Sequence, residues 1–202
     1  YQIISMPPPS SGGIHIIQML NILENFPIAD WGVSAKSYHV IIEALRRAFA
    51  DRSEHLGDPD FVTVPVSQLL SKSYAKKLAN DINLTMASES TSIRPAQFAP
   101  SESEDTTHYS IIDENGNAVS NTTTLNFSYG IGIMVPGTGI LLNNEMDDFS
   151  AKPGVPNAYG LIGGSANKIA PQKRMLSSMT PTLVLKEEEI FLVTGSPGGS
   201  RI

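Results

Sequence analysis

Asp105-Thr106-Thr107-His108-Tyr109 holds the most pointed chemistry in the sequence. A threonine hydroxyl is a weak nucleophile until a base takes its proton. If the chain is cut before Thr106, that residue gains an α-amine beside its own hydroxyl. Such an amine titrates near pH ~7.7–8.0, so at neutral pH it accepts the hydroxyl proton and makes one residue both nucleophile and base. Taken alone, these residues equally fit a surface hairpin built from common strand formers.

The elements that would position Thr106 follow from periodicity. From Thr106 the pattern alternates with period two and turns at Glu114-Asn115-Gly116. A three-residue loop with Gly116 in the left-handed region pairs Asp113 with Asn117 and gathers Tyr109, Ile111, Val119 and Leu125 on one face. A two-residue Asn-Gly turn mixes apolar and polar residues on both faces, so the longer loop is expected. It sets Thr124 directly opposite Thr106, within side-chain reach. Strands are also expected at about 179–186 and 190–194, joined by a turn at Glu187 to Glu189. Upstream the period is helical. Ser10 or Ser11 caps a mostly buried helix to about Asn25, with His15, Gln18, Asn21 and Asn25 as a narrow polar stripe. Ser34 caps a second helix, with Tyr38, Ile41, Ile42, Leu45, Ala48 and Phe49 inside and Lys36, Glu43, Arg46 and Arg47 outside. Ser71 to Asp81 is a third. Residues 84–104 are polar, Ser-rich and aperiodic, a loop ahead of the suspected cut. Helices first and hairpins after predict an α+β fold.

Several motifs then occur in order: Ser5 to Gly13, Ala50 to Pro59, Thr122 to Asn126, Leu141 to Ser150, Pro153 to Asn157, Leu176 to Pro181 and Thr194 to Arg201. Together they resemble the gamma-glutamyltranspeptidases. The resemblance covers nearly the whole chain and implies a central piece of a longer precursor. Residues 1–105 would end its large subunit, and 106–202 would begin its small one. It implies the αββα sandwich of N-terminal-nucleophile hydrolases, present here in part. It also implies self-cleavage at Asp105-Thr106, followed by acyl transfer through a threonine ester. Thr106 matches the family nucleophile and Thr124 the threonine that hydrogen-bonds it. Asn126, Glu145 and Asp148 match the ligands of the donor's α-amine, Ser177 and Ser178 those of its α-carboxylate, and Gly198 and Gly199 the oxyanion hole. Pro153 to Gly164 matches a segment that covers the active site. The family's carboxylate-binding arginine belongs to a segment outside this sequence.

The activity so implied is transfer of γ-glutamyl groups from glutathione-like donors to water, amino acids or peptides. A cephalosporin-acylase-like or poly-γ-glutamate-processing relative stands beside it, as does an inactive, uncleaved scaffold. The remaining parts of the two subunits are the expected protein partners. Location is not written in this sequence, though the family is commonly periplasmic, secreted or at the cell surface.

Composition excludes other classes. A net charge of −6 over 202 residues opposes a nucleic-acid partner, and no apolar run has the length of a membrane span. Zero cysteines leave no disulfide framework. Gly130-Ile131-Gly132 lacks the third glycine of a dinucleotide loop, since Val135 stands there. Asn143 to Ser150 lacks the alternating ligands and central glycine of an EF-hand, so neither cofactor nor metal is expected. His108 tempts as a base, yet no G-x-S-x-G elbow is present to support a triad.

Overall fold

The computed structural model describes residues 1–93, 106–156 and 162–197, with Thr106 described by its backbone alone. Chain order is β1 (Gln2–Ser5), α1 (Gly12–Leu23), α2 (Ile28–Trp31), α3 (Ala35–His55), α4 (Val66–Leu69), α5 (Lys72–Asn80), β2 (Thr106–Ile112), β3 (Ala118–Thr124), β4 (Thr182–Lys186) and β5 (Glu189–Thr194). Short 3-10 turns occupy Glu145–Asp148 and Ser165–Asn167. The α+β expectation is met: a helical layer joins a three-stranded antiparallel sheet ordered β1-β4-β5, and β2-β3 forms a separate hairpin. No described helix is long and apolar enough to cross a membrane.

Two helix starts obey capping chemistry, while α1 departs from the expectation: Ser11 is its N-cap residue but makes no side-chain capping bond, its hydroxyl donating instead to the Ser177 carbonyl. Ser34 accepts from the Ser37 N–H and Ser71 from the Tyr74 N–H, satisfying amides that have no partner within the helix. Ile22, Val40, Ala44, Ala75, Ala79 and Ile82 form one buried cluster between α1, α3 and α5. Ile14, Leu56, Leu69 and Leu176 form a second, which brings the segment before β4 onto the helices.

Two helix faces differ from the periodic reading. On α3, Tyr38 and Ile42 are exposed, while Glu43 and Arg47 lie inside. Mutual neutralisation makes that burial tolerable. Arg47 Nη1 donates to Glu43 Oε2 at 2.6 Å, Arg46 pairs with the other carboxylate oxygen, and Ser88 Oγ donates to Glu43 at 2.6 Å. Arg47 also reaches the Asp81 carbonyl, so the network pins residues 81–90 to the helix. Burial alone would raise the Glu43 carboxyl, yet Ser88, Arg47 and Arg46 hold it at about 2. On α1, the polar stripe is the buried one. His15, Gln18 and Asn21 are enclosed, Leu20 is exposed, and Gln18 donates to Asp51 at 2.5 Å. Periodicity reports which residues share a face, and pairing across the interface decides which face goes in.

The β2-β3 register is the one expected. Thr106 lies opposite Thr124 and Ile112 opposite Ala118. The Asp113 N–H donates to the Asn117 carbonyl at 3.0 Å, and Gly116 sits at φ +81. The Asp113 carboxylate accepts from the Asn115 and Asn117 amides and from Asn117 Nδ2, which closes the loop. Those bonds, led by the Asn117 side chain, hold its carboxyl below the usual range. The apolar face is open, however. Tyr109, Ile111 and Val119 are all exposed. The polar face instead meets the sheet: Ser120 Oγ donates to the Thr194 carbonyl and accepts from the Thr182 N–H. The β4-β5 turn is also shorter than expected. Glu187 and Glu188 both take positive φ and Glu189 pairs with Lys186, the two-residue geometry that suits strand twist.

Candidate active site

Thr106 and Thr124 face each other at the end of the hairpin away from its loop. The chain then turns sharply. Thr124 Oγ1 accepts from the Asn126 N–H at 2.9 Å, and Asn126 takes φ +75, a left-handed conformation that asparagine tolerates better than most residues. Asn126 is buried and its Nδ2 donates to the Asn144 carbonyl at 3.2 Å. Asn144 completes the clasp: its N–H reaches the Leu125 carbonyl and its Oδ1 accepts from the Phe127 N–H. The residue after Asn144 is Glu145, so this clasp sets the Glu145–Asp148 turn against the end of the threonine hairpin.

Asp148 is the unusual acid of the turn. Burial raises its carboxyl to about 7; the Arg52 guanidinium opposes the rise, while Glu145 and Asp147 add to it. Burial also raises Glu145. Asn167 fixes the backbone beneath them. Its Nδ2 donates to the Asp148 carbonyl at 2.7 Å, its Oδ1 accepts from the Leu176 N–H at 3.0 Å, and its own carbonyl accepts from Ser150.

Leu176 leads to Ser177 and Ser178, which rest on the Pro-Ser-Gly segment before α1. Ser177 exchanges backbone bonds with Pro9 and Ser11, and Ser11 Oγ donates to the Ser177 carbonyl at 2.9 Å. Ser10 Oγ donates to the Met179 carbonyl at 2.7 Å. A Cβ on Gly12 would overlap Thr180 Oγ1 and the Met179 carbonyl oxygen, so the absence of a side chain there permits the approach. Arg174 anchors the start of the segment. Its Nε and backbone N–H donate to Asp58 Oδ2, and its Nη2 donates to Asp58 Oδ1. That fork holds the Asp58 carboxyl at about 2.

The structure thus brings together the backbone of Thr106 with Thr124, Asn126, Glu145 and Asp148 along one clasped path, and links that path through Asn167 to Ser177 and Ser178. Asp105, Gly198 and Gly199 lie outside the described residues. Part of the expected covering segment does too. Its described ends are tied down, Gly154 donating to the Gly163 carbonyl and Gly164 to the Ser53 carbonyl of α3. His108 is occupied within the hairpin by Thr122 and Ser110. Sequence reasoning missed Arg52, Asn144 and Asn167. Asn144 and Asn167 gave no periodic signal, and Arg52 sat unremarked in the Ala50 to Pro59 motif.

The gamma-glutamyltranspeptidase family model matches residues 1–202. The chain is 60% identical over 203 residues to the glutathione hydrolase proenzyme of Escherichia coli (strain K12), an alignment covering 100% of this chain and 35% of that protein. It is 43% identical to the acylase ACY 1 proenzyme of Pseudomonas sp. (strain SE83), over 100% of this chain and 34% of that one. Among solved structures, a cephalosporin acylase from Bacillus halodurans aligns with TM-score 0.72 and 25% identity, covering 95% of this chain and 31% of that one. The chain therefore spans about a third of the length of the curated relatives it matches.

Proposed function

The chain belongs to the gamma-glutamyltranspeptidase family, and from that premise we propose that the protein containing it cuts itself between Asp105 and Thr106 and then transfers γ-glutamyl groups through a threonine ester. Residues 1–105 then close the large subunit and residues 106–202 open the small one. The other parts of both subunits complete an αββα sandwich around them.

In this reading Thr106 Oγ attacks the γ-carbonyl carbon of a glutathione-like donor while its new α-amine takes the hydroxyl proton. The resulting oxyanion is held by backbone N–H groups at Gly198 and Gly199, donors worth about 100 to 1,000-fold in rate each. Collapse expels the leaving amine, which carries the proton away, and leaves the ester. Water, an amino acid or a peptide then attacks that ester and regenerates Thr106. Asn126, Glu145 and Asp148 bind the donor's α-ammonium, and Ser177 and Ser178 bind its α-carboxylate. Maturation uses the same hydroxyl against the Asp105 carbonyl: the acyl group shifts from nitrogen to oxygen, which frees the α-amine, and water then hydrolyses that ester to the Asp105 carboxylate and the Thr106 hydroxyl.

The observation that supports this most directly is the threonine pair followed at once by the asparagine clasp and the acidic turn. Asp148 is expensive to ionise where it lies even with Arg52 acting on it, and a substrate ammonium adds counter-charge. Losing one partner of such a buried pair costs ~3–5 kcal/mol, or more than about 100-fold. In mature full-length enzyme, Asp148→Asn should therefore lower kcat/KM for a γ-glutamyl anilide by more than about 100-fold. For a glutaryl anilide, which keeps the carboxylate and lacks the α-amine, the loss should be far smaller. Equal losses on both donors would assign Asp148 to the scaffold. A wild type that prefers the glutaryl donor would favour the acylase reading.

A further inference from the structure

Arg52 lies in α3 with only 8% of its surface exposed, a costly place for a cation. Its hydrogen bonds go to hydroxyls rather than to a carboxylate: Nε donates to Ser11 Oγ and Nη2 to Ser178 Oγ, both at 3.1 Å. The two hydroxyls differ in what remains. Ser11 gives its proton to the Ser177 carbonyl at 2.9 Å. Ser178 Oγ accepts from Arg52, and among the described residues no hydrogen bond carries its own proton to an acceptor. With Arg52 on one lone pair, the Ser178 O–H keeps its donor capacity for a ligand oxygen. The charged groups acting on Asp148 are Arg52 from α3 and Glu145 and Asp147 of its own turn; Asn167 meets it with a neutral amide. His15 of α1 also faces Arg52 and is held neutral, its imidazole lowered to about 3 by burial and by that guanidinium.

We propose that Arg52 is a positioning residue for both poles of the donor, holding the Ser178 hydroxyl in place for the α-carboxylate and supplying, from beside the segment that Asn167 ties to Asp148, a positive field that opposes protonation of the acid meant for the α-ammonium. This rests on the assignment of Asp148 and Ser178 to donor binding made above. The cause of the second effect is electrostatic. Asp148 is buried and feels two like charges and one opposite charge, so removing the opposite one leaves burial and like charges, all of which favour its protonation.

The test is the pH profile of kcat/KM in mature full-length enzyme, measured with the γ-glutamyl and the glutaryl anilide. Both donors share an acid limb from the Thr106 amine, so the limb present only with the γ-glutamyl donor reports Asp148. In Arg52→Gln that donor-specific limb moves to higher pH by about one unit, while the glutaryl profile keeps its position. Arg52→Lys keeps the charge without the planar fork. Its limb stays in place, and KM for both donors rises together by about tenfold with kcat retained, the loss expected for about one hydrogen bond. Asp148→Asn removes the limb altogether. A limb that survives in Asp148→Asn removes the underlying assignment and the proposal with it. A limb that vanishes there yet stays put in Arg52→Gln overturns the proposal alone. Should Arg52→Gln fail to mature, Arg52→Lys with wild-type KM on both donors, or with a displaced limb, overturns it.

Discussion

The segment carrying Ser177 and Ser178 and the hairpin carrying Thr106 are built by opposite means. The serine segment is held from outside itself, by Pro9, Ser10, Ser11, Arg52 and Asp58, residues more than a hundred positions away in sequence. The hairpin is held mainly from within: Asp113 organises its loop, and its own ladder sets Thr106 against Thr124. Its contacts with the sheet are few, and its apolar face is exposed. The alignment of Thr106 with Thr124 is therefore a local property, whereas the position of Ser177 and Ser178 depends on the packing of the segment before α1 and of α3 against them.

One substitution made in both regions breaks or sharpens this contrast. Gly12→Ala places a methyl group against Thr180 and the Met179 carbonyl, where something must shift. Overpacking of that kind costs about 1–3 kcal/mol, and here it also displaces the serines, so thermal stability and kcat/KM should fall together. Unchanged kcat/KM in folded, mature Gly12→Ala would mean that the segment is not held by this contact.

A second prediction concerns pH, because the serine segment is bordered by two buried groups with opposite effects. His15 is lowered from 6.5 to about 3. As pH falls below 6.5 the unfolded chain takes a proton that the folded one refuses, so stability is lost. Asp148 is raised from 3.8 to about 7, so as pH falls from 7 toward 3.8 the folded state takes the proton first and stability is gained. Melting temperatures of the full-length protein between pH 7 and pH 4 separate them. Asp148→Asn should make Tm fall more steeply with acid than in wild type, and His15→Gln should make it fall less steeply or rise. Parallel curves for all three proteins would contradict both assignments.

The smallest effect belongs to the hairpin. Gly116 has open space around it, so Gly116→Ala meets only the strain of φ +81, about 1–2 kcal/mol. Denaturant unfolding should show that modest loss, with kcat/KM of the mature enzyme kept within a few-fold. A collapse in activity would show that the loop, and not the ladder, sets the threonine pair.

What the sequence made legible follows the same division. Local chemistry was readable: Ser34 as a cap, the Asp113-Asn117 loop, and from it the Thr106-Thr124 pairing; the Ser11 cap was misjudged because its hydroxyl is drawn to the distant Ser177 carbonyl. The inward turn of Glu43 and Arg47, and of His15 and Gln18, was not. Their burial depends on partners such as Ser88 and Asp51, which lie on other segments. Asn144 and Asn167 escaped for a related reason. An asparagine that clasps two loops has no sequence period, because its value lies in backbone groups that the fold brings to it.

The central claim is that Thr106 frees its own amine, and intact-mass measurement of purified full-length protein tests it directly. Wild type should resolve into two fragments whose masses meet at the Asp105-Thr106 bond, and Thr106→Ala should remain one uncut chain without γ-glutamyl transfer activity. Cleavage at that bond persisting in Thr106→Ala, or an uncut wild type that turns over donor, would contradict it.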